Sequence, residues 1–249
     1  MAFVIAKGSK PEIYAHGSDL TDNGRASNPD WQRPAVDVTT FADDAHRNNL
    51  GQEVITYQYE GLFDSTANKS YLTLGSDMRA NKRAVTVWVD GAGSGQLGLA
   101  MGNAFNPNNT IPVSVGEAVG ISANIVQDGT ADIVTSLGTK HAITASENGG
   151  AFDRGAGATT TAGGRCYVHV FSPTTISGGN AQYDGTFASA TTAAGAYTAH
   201  AVFSVGSGVN TGTVLEVASG TTINRFVRYT FTRDATTGTI TFQPSFVAD

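Results

Sequence analysis

Apolar and polar residues alternate with a period of two over much of this chain. Within Glu53–Leu62, Ile55, Tyr57 and Tyr59 alternate with Thr56, Gln58 and Glu60, the pattern that sends one row of strand side chains inward and the other outward. Arg83–Asp90 (RAVTVWVD) is a second such run, and Gln96–Phe105 is placed to return antiparallel after a glycine turn. Val113–Val126 and Ile133–Thr144 bracket QDGTAD, where Asp128-Gly129 predicts a hairpin because glycine tolerates positive φ. Between Asp64 and Met78 the period is helical instead: Ala67, Tyr71, Leu74 and Met78 recur at three- and four-residue steps, with Asp64 or Ser65 placed to cap the first turn. These elements predict a sheet flanked by one short helix.

On either side of this block the text changes. Residues 1–35 hold a short apolar stretch, Ala2–Ala6, and then a polar segment with Gly17, Asn23, Gly24, Pro29 and Pro34, which reads as an arm. The stretch SENGGAFDRGAGATTTAGG has almost no apolar periodicity and the composition of a linker. Strand-like runs follow at Arg165–Phe171, Ala181–Ala188, Ala196–Val205, Thr213–Val217, Asn224–Thr232 and Thr237–Val247, spaced by turn residues as in a small β-sandwich. The predicted class is mainly β. An N-terminal arm (1–35) precedes a core domain (36–147), a linker (148–164) and an outer β-sandwich (165–249). No internal repeat relates the two halves.

Composition agrees with this reading and narrows function. Charged residues make up 14% of the 249 positions, against roughly 25% in an average soluble protein, so much of the surface is neutral or covered by other subunits. Thirty glycines favour strands joined by turns over helices. A net charge of -6 argues against nucleic-acid binding, which needs clustered Lys and Arg to neutralise phosphates. The single cysteine, Cys166, excludes an intrachain disulfide and fits a reducing compartment. No apolar run approaches the ~18 residues of a membrane span, and MAFVIAKGSK lacks the features of a signal peptide.

Candidate chemistry is sparse. Gly93-Ser94-Gly95-Gln96-Leu97-Gly98 matches G-x-G-x-x-G, but a dinucleotide site needs a helix at the third glycine and a parallel strand beyond it, and the surrounding pattern is antiparallel. Asp19, Thr21, Asn23, Gly24 and Asp30 loosely trace a calcium loop without its flanking helices or its bidentate Glu. Asp43, Asp44 and His46 read as solvated loop charges. Cys166 and His169 have C-x-x-H spacing, yet three residues apart on a strand they point to opposite faces, leaving Cys166, Val168 and Val170 as one core face. Arg79, Lys82 and Arg83 suit a helix C-terminus or an interface contact. No catalytic set, metal site or cofactor site emerges, and the chain is read as a non-enzyme.

One stretch carries a family resemblance. DVTTF, a short polar loop and then GQEVITYQYEGLFD, all within Val36–Asp64, resemble the opening of phage major tail (tail tube) proteins. In that family a Thr-Thr-Phe segment leads through a loop to a strand ending in Gly and two aromatics; here the ending is Gly61-Leu62-Phe63-Asp64, with Leu62 a departure. The order of helix, paired strands and hairpin over residues 36–145 is similar too. The C-terminal part, with Tyr167-Val168-His169-Val170 and Arg225-Phe226-Val227-Arg228-Tyr229, resembles the outer sandwich that some tail proteins carry.

The resemblance implies a subunit of six-membered rings, its sheet contributing to an inner barrel and the rings stacking into a hollow tube. Its partners would be copies of itself and tail proteins such as tape measure and terminator proteins. Genomic DNA would pass through the lumen without specific binding, which an acidic and neutral wall favours. The location implied is the virion tail, assembled in the host bacterial cytoplasm. Asp37, Thr39, Thr40, Phe41, Asp43, Asp44, Arg47, Leu50, Gly61 and Phe63 are the expected assembly residues, with the Thr39–Leu50 loop between subunits. The alternative is a virion decoration or glycan- or receptor-binding protein, which exposed aromatics clustered on one loop face of the sandwich, such as Tyr183, Phe187 and Tyr197, would mark.

Overall fold

A computed structural model describes residues 11–33, 35–40, 45–50, 54–113, 117–171, 177–179, 182–206, 210–234 and 237–248, with the side chains of Ser27 and Leu50 excepted. The chain is built almost wholly of antiparallel strands. In the first half these are β1 (Glu12–Ala15), β2 (Ser18–Asp19), β3 (Gly24–Gln32), β4 (Ala35–Asp37), β5 (Asn48–Leu50), β6 (Val54–Leu62), β7 (Arg83–Trp88), β8 (Leu97–Thr110), β9 (Gly120–Gln127) and β10 (Ala131–Ser136). The second half adds β11 (His141–Ile143), β12 (Glu147–Asn148), β13 (Phe152–Asp153), β14 (Gly164–Phe171), β15 (Gln182–Ala190), β16 (Thr198–Val205), β17 (Thr211–Val217), β18 (Phe226–Asp234) and β19 (Ile240–Ala248).

Strand β8 organises the first half. It is 14 residues long and pairs along one side with β7, while its other side meets β10 through its first residues and β9 through its last. The Asp128-Gly129 signal therefore marks a break between two collinear strands, not the hairpin its residues predict. β9 and β10 do not pair with each other, and the Asp128 amide donates to the Asn103 carbonyl of β8. Gly129 has φ +115, which a bulge needs as much as a tight turn does. β9 goes on to pair with β6, and β6 with β3, whereas β10 pairs with β19.

The helix is shorter and more C-terminal than its periodicity predicts. It winds as a π-helix over Tyr71–Asp77 and ends in an α-turn, Met78–Ala80. Asp64 caps a local turn, its carboxylate accepting from the Thr66 amide, while the Ser70 hydroxyl accepts from the Asp64 amide and donates to the Leu62 carbonyl. These bonds hold 64–70 as a loop, with Asn68 in the left-handed region (φ 62). The helix still buries Leu74 and Met78 against Ile13, Ile55, Tyr57, Tyr59, Val85 and Met101, the first of three cores.

The second core joins the halves. β19, β14 and β17 extend the sheet beyond β10, and the sheet curls until β14 meets β1 and β7. Tyr14, Trp88, Ala100, Val134, Tyr167 and Phe171 pack inside the curl, with the Tyr14 and Phe171 rings 4.9 Å apart. The seam is closed by two histidines of the β1–β2 turn and β14. The Gly212 amide donates to His16 Nδ1 (3.1 Å), the Gly17 amide to His169 Nδ1 (3.4 Å), and His169 Nε2 meets Thr86 Oγ1 at 2.9 Å. Gly17 has φ +73, and a Cβ there would lie 2.1 Å from the Val170 carbonyl oxygen, so only glycine fits the seam.

The third core lies on the opposite face of β14. Cys166, Val168 and Val170 point there, as their alternation predicts, and pack with Phe242 and Phe246 of β19 against Phe187, Val227 and Phe231 of a second sheet. That sheet runs β12-β18-β15-β16, with β13 also on β18. The segment read as a linker contributes to it: the Phe152–Asp153 strand pairs with Val227 and Phe226, and Thr160 bridges to Ile223.

Inside the curl, Arg165 donates twice to the Asp132 carboxylate (both 2.7 Å), which also accepts from the Tyr167 hydroxyl at 2.5 Å. Tyr167 is fully buried and Arg165 only partly, so Asp132→Ala, which leaves the buried tyrosine hydroxyl without its acceptor, should cost about 2 kcal/mol in urea denaturation. His169 sets a second test. Burial first, and then His16, hold its pKa down at about 3, so the folded chain keeps it neutral while the unfolded chain protonates it below about pH 6.5. Stability should fall as pH drops from about 6.5 towards 3, by up to roughly 1.4 kcal/mol per pH unit from this group. His169→Gln should flatten that slope in denaturation series at several pH values.

Candidate assembly surface

β3 and β6 form a long two-stranded ribbon. β3 runs out and β6 runs back, in register from Gln32↔Val54 to Ala26↔Glu60, with a register shift before Gly24↔Gly61. β9 supports β6 only from Thr56 onward, so past that point the ribbon has no third strand. It continues into the β4–β5 hairpin, where Ala35 faces Leu50 and Asp37 faces Asn48. Among the described residues from 28 to 49, every side chain is exposed.

Apolar side chains on this arm face solvent: Trp31 (42%), Val36 (48%), Val38 (40%) and Val54 (41%). Trp31 is opposite Ile55 and Val54 opposite Gln32, so these two point to opposite faces of the ribbon. Sequence reading placed Val36 within the family-like stretch but did not single out these four. Alternation identifies an apolar row, and only the absence of a covering layer shows it to be exposed.

The predicted assembly residues divide into two groups. Asp37, Thr39, Thr40 and Arg47 lie together near the tip. Thr39 is its knot: its amide and hydroxyl donate to the Asp37 carboxylate (2.9 and 2.5 Å), its hydroxyl oxygen accepts from the Arg47 amide (2.9 Å), and His46 Nδ1 lies 2.9 Å away. The Val38 amide donates to the Arg47 carbonyl, closing the hairpin. Bonds from Thr39, and then the neighbouring His46, hold the Asp37 carboxyl below its usual range. Leu50 is placed by its backbone in β5, and Phe41, Asp43 and Asp44 lie outside the described residues.

Gly61 and Phe63 are at the opposite end of β6, about 25 Å along the strand, and pack within the chain. A Cβ on Gly61 would meet the Tyr59 hydroxyl at 2.4 Å and the Asn23 carbonyl at 2.5 Å. Phe63 is half-buried with its ring 4.9 Å from Tyr71. The structure thus brings the tip residues together and gives the Gly-Leu-Phe ending a place in the chain's own packing.

The other candidate motifs take structural places. Gly93–Gln96 forms a turn into β8, with antiparallel strands on both sides. Asp19 pairs with Lys140, and β3 carries Asp30 away from it. Arg83 grips Asp77 with two bonds (2.7 and 2.6 Å), Lys82 pairs with Asp128, and Arg79 reaches Asn109. Among the described residues, no three His, Cys, Asp or Glu side chains are grouped to hold a metal ion, and no helix is long and apolar enough to cross a membrane. Tyr183 and Phe187 are buried in the third core, and Tyr197 is half-buried beneath the Arg228 guanidinium, 3.8 Å from its ring. The three do not form an exposed aromatic face.

No protein-family model matches the chain, and no curated protein matches it. Among solved structures, a chain from the virion of the native gene transfer agent particle aligns with a TM-score of 0.38 at 13% identity, covering 51% of this chain and 98% of that one. A chain from the anti-feeding prophage cap, which terminates the tube, gives 0.40 at 11%, covering 53% and 93%. The SPP1 Dit (gp 19.1) protein aligns over 96% of this chain and 99% of its own, with a TM-score of 0.34 at 12% identity. These likenesses extend to mainly β architecture and no further.

The knot at the tip gives a local test. Thr39→Val keeps the shape and removes the hydroxyl, so the Arg47 amide should exchange with deuterium faster while global stability stays within about 0.5 kcal/mol.

Proposed function

We propose that this chain is a non-catalytic structural subunit of a phage tail, of the tail tube type, which assembles with copies of itself into stacked six-membered rings around a DNA conduit. The observation that supports this most is the ribbon, which carries exposed Trp31, Val36, Val38 and Val54 and ends in a tip locked by Thr39. Exposed apolar side chains at four positions of one ribbon fit a surface that another subunit covers. The tip of the arm and its return strand β6 fall within the DVTTF…GLFD stretch whose resemblance suggests the tail tube family. Low charge and a net -6 suit a subunit that buries much surface and lets DNA pass unbound.

In this reading the tip residues Asp37, Thr39, Thr40, Phe41, Asp43, Asp44, Arg47 and Leu50 contact a neighbouring subunit, and the outer sandwich decorates the outside. Tape measure and terminator proteins are the further partners, and the virion tail is the location. Negative-stain electron microscopy over a concentration series of purified protein should show hollow rings or tubes. The double variant Trp31→Glu with Val38→Glu should remain folded, since both side chains are exposed, and lose those assemblies. Rings formed undiminished by the variant would remove the arm from the interface, and wild-type chains that stay monomeric at all concentrations would count against the tube reading.

A further inference from the structure

The β1–β2 turn is held in the seam by two hydrogen bonds of the same polarity. His16 Nδ1 accepts from the Gly212 amide, and His169 Nδ1 from the Gly17 amide. A neutral imidazole offers one acceptor nitrogen, so in each ring Nδ1 is unprotonated and the proton sits on Nε2. His169 therefore donates from Nε2 to Thr86 Oγ1. A second proton on either ring would set an N–H against an amide N–H, turning the bond into a repulsion between two donors.

The turn is also held by the Asn210 side-chain amide, which donates to the Gly17 carbonyl (2.8 Å), and by the His16 amide, which donates to the Ala84 carbonyl (2.9 Å). Both of its residues are left-handed, His16 at φ 47 and Gly17 at φ 73, a conformation disfavoured for a residue with a Cβ. The paired positions of β1 with β7, and of β14 with β17 and β19, do not include residues 16 and 17, so the turn can leave without unpairing them. His16 is half-buried beside a cavity of about 380 Å³ that Lys82, Arg83 and Glu216 also line, where a released ring can be hydrated. Asp77 faces it from the helix, engaged by Arg83 through two bonds, and His169 faces it from β14, with the Tyr14 ring 6.0 Å from that of His169. Burial first, and then the Arg83 charge, hold the His16 pKa below the ordinary histidine value.

We propose that the β1–β2 turn is an acid-released latch: protonation of His16 and His169 expels the turn from the seam, while the strands around it keep their pairing. Both rings are neutral in the closed seam and free to bind a proton in the open one. Each proton taken up on opening shifts the opening equilibrium by about tenfold per pH unit. The shift begins as pH falls below about 6.5, the value of an unhindered histidine, and ends for each ring at its closed-state value, about 3 for His169. Two rings acting together make the dependence steeper than one ring allows. The latch is a local opening, distinct from the loss of global stability that His169 brings, and it does not rest on the tube reading, since none of its residues lies on the arm.

Amide hydrogen exchange followed by NMR from about pH 7 to about pH 5 tests the latch. After correction for intrinsic exchange, the Gly17 and Gly212 amides should lose protection by more than about tenfold per pH unit, while the amides of β18 stay protected. His16→Asn places an oxygen where Nδ1 sits, tolerates the left-handed backbone and has no proton to gain there. In that variant the seam amides should lose protection by no more than about tenfold per unit, because only His169 remains to take up a proton. A wild-type dependence of tenfold or less, a dependence unchanged in His16→Asn, or seam amides that exchange in step with those of β18 would each overturn the latch. The wild-type dependence and the comparison with β18 decide the matter whether or not the variant folds.

Discussion

Burial of β14 on both faces is the constraint on which the architecture depends. One row, Cys166, Val168 and Val170, faces the outer sandwich, and the other, Tyr167, His169 and Phe171, faces the inside of the curled sheet. A strand with water on one side would need only one apolar row. Here the second row must be both large and hydrogen-bonded, which accounts for a tyrosine on Asp132 and a histidine on Thr86. The two halves consequently share a sheet through β10, β19 and β14.

That arrangement leaves β3 and the β4–β5 tip without a covering layer among the described residues, while β6 buries Ile55, Tyr57 and Tyr59 in the first core. β9 covers β6 along most of its length, and the curl draws β1, β7 and β8 towards β14, away from the tip. The arm is kept in shape by local bonds centred on Thr39 instead of by a core. Rigid scaffold and projecting ribbon together suit a subunit whose stability and shape are set within the chain but whose apolar arm is satisfied by a neighbour. The proposed assembly function follows from that division.

Edge protection completes the picture. Pro29 and flanking charges on β3 disfavour sheet extension at the ribbon, so the proposed contacts there would be made by side chains and the tip. β16, the edge of the outer sheet, is uncharged but carries a bulge at His200 in its pairing with β15.

Sequence alone determined the class of the fold and many of its elements. The alternation at Glu53–Leu62, Arg83–Asp90 and Arg165–Phe171 is a local property, fixed by the period of two along an extended backbone, and the strands stand where it places them. The same logic separated Cys166 from His169 and reduced G-x-G-x-x-G to a turn. Partner choice was decided only by the tertiary structure, because a period of two defines faces but not neighbours. Asp128-Gly129 became a bulge since β8 is long enough to pair with strands on both sides of it. The helix began at Tyr71, not Asp64, since the Ser70 hydroxyl ties the intervening loop to β6. The exposure of Trp31, Val36, Val38 and Val54, and the burial of Gly61, depend on which layers cover β6, a non-local outcome that no stretch of sequence encodes by itself.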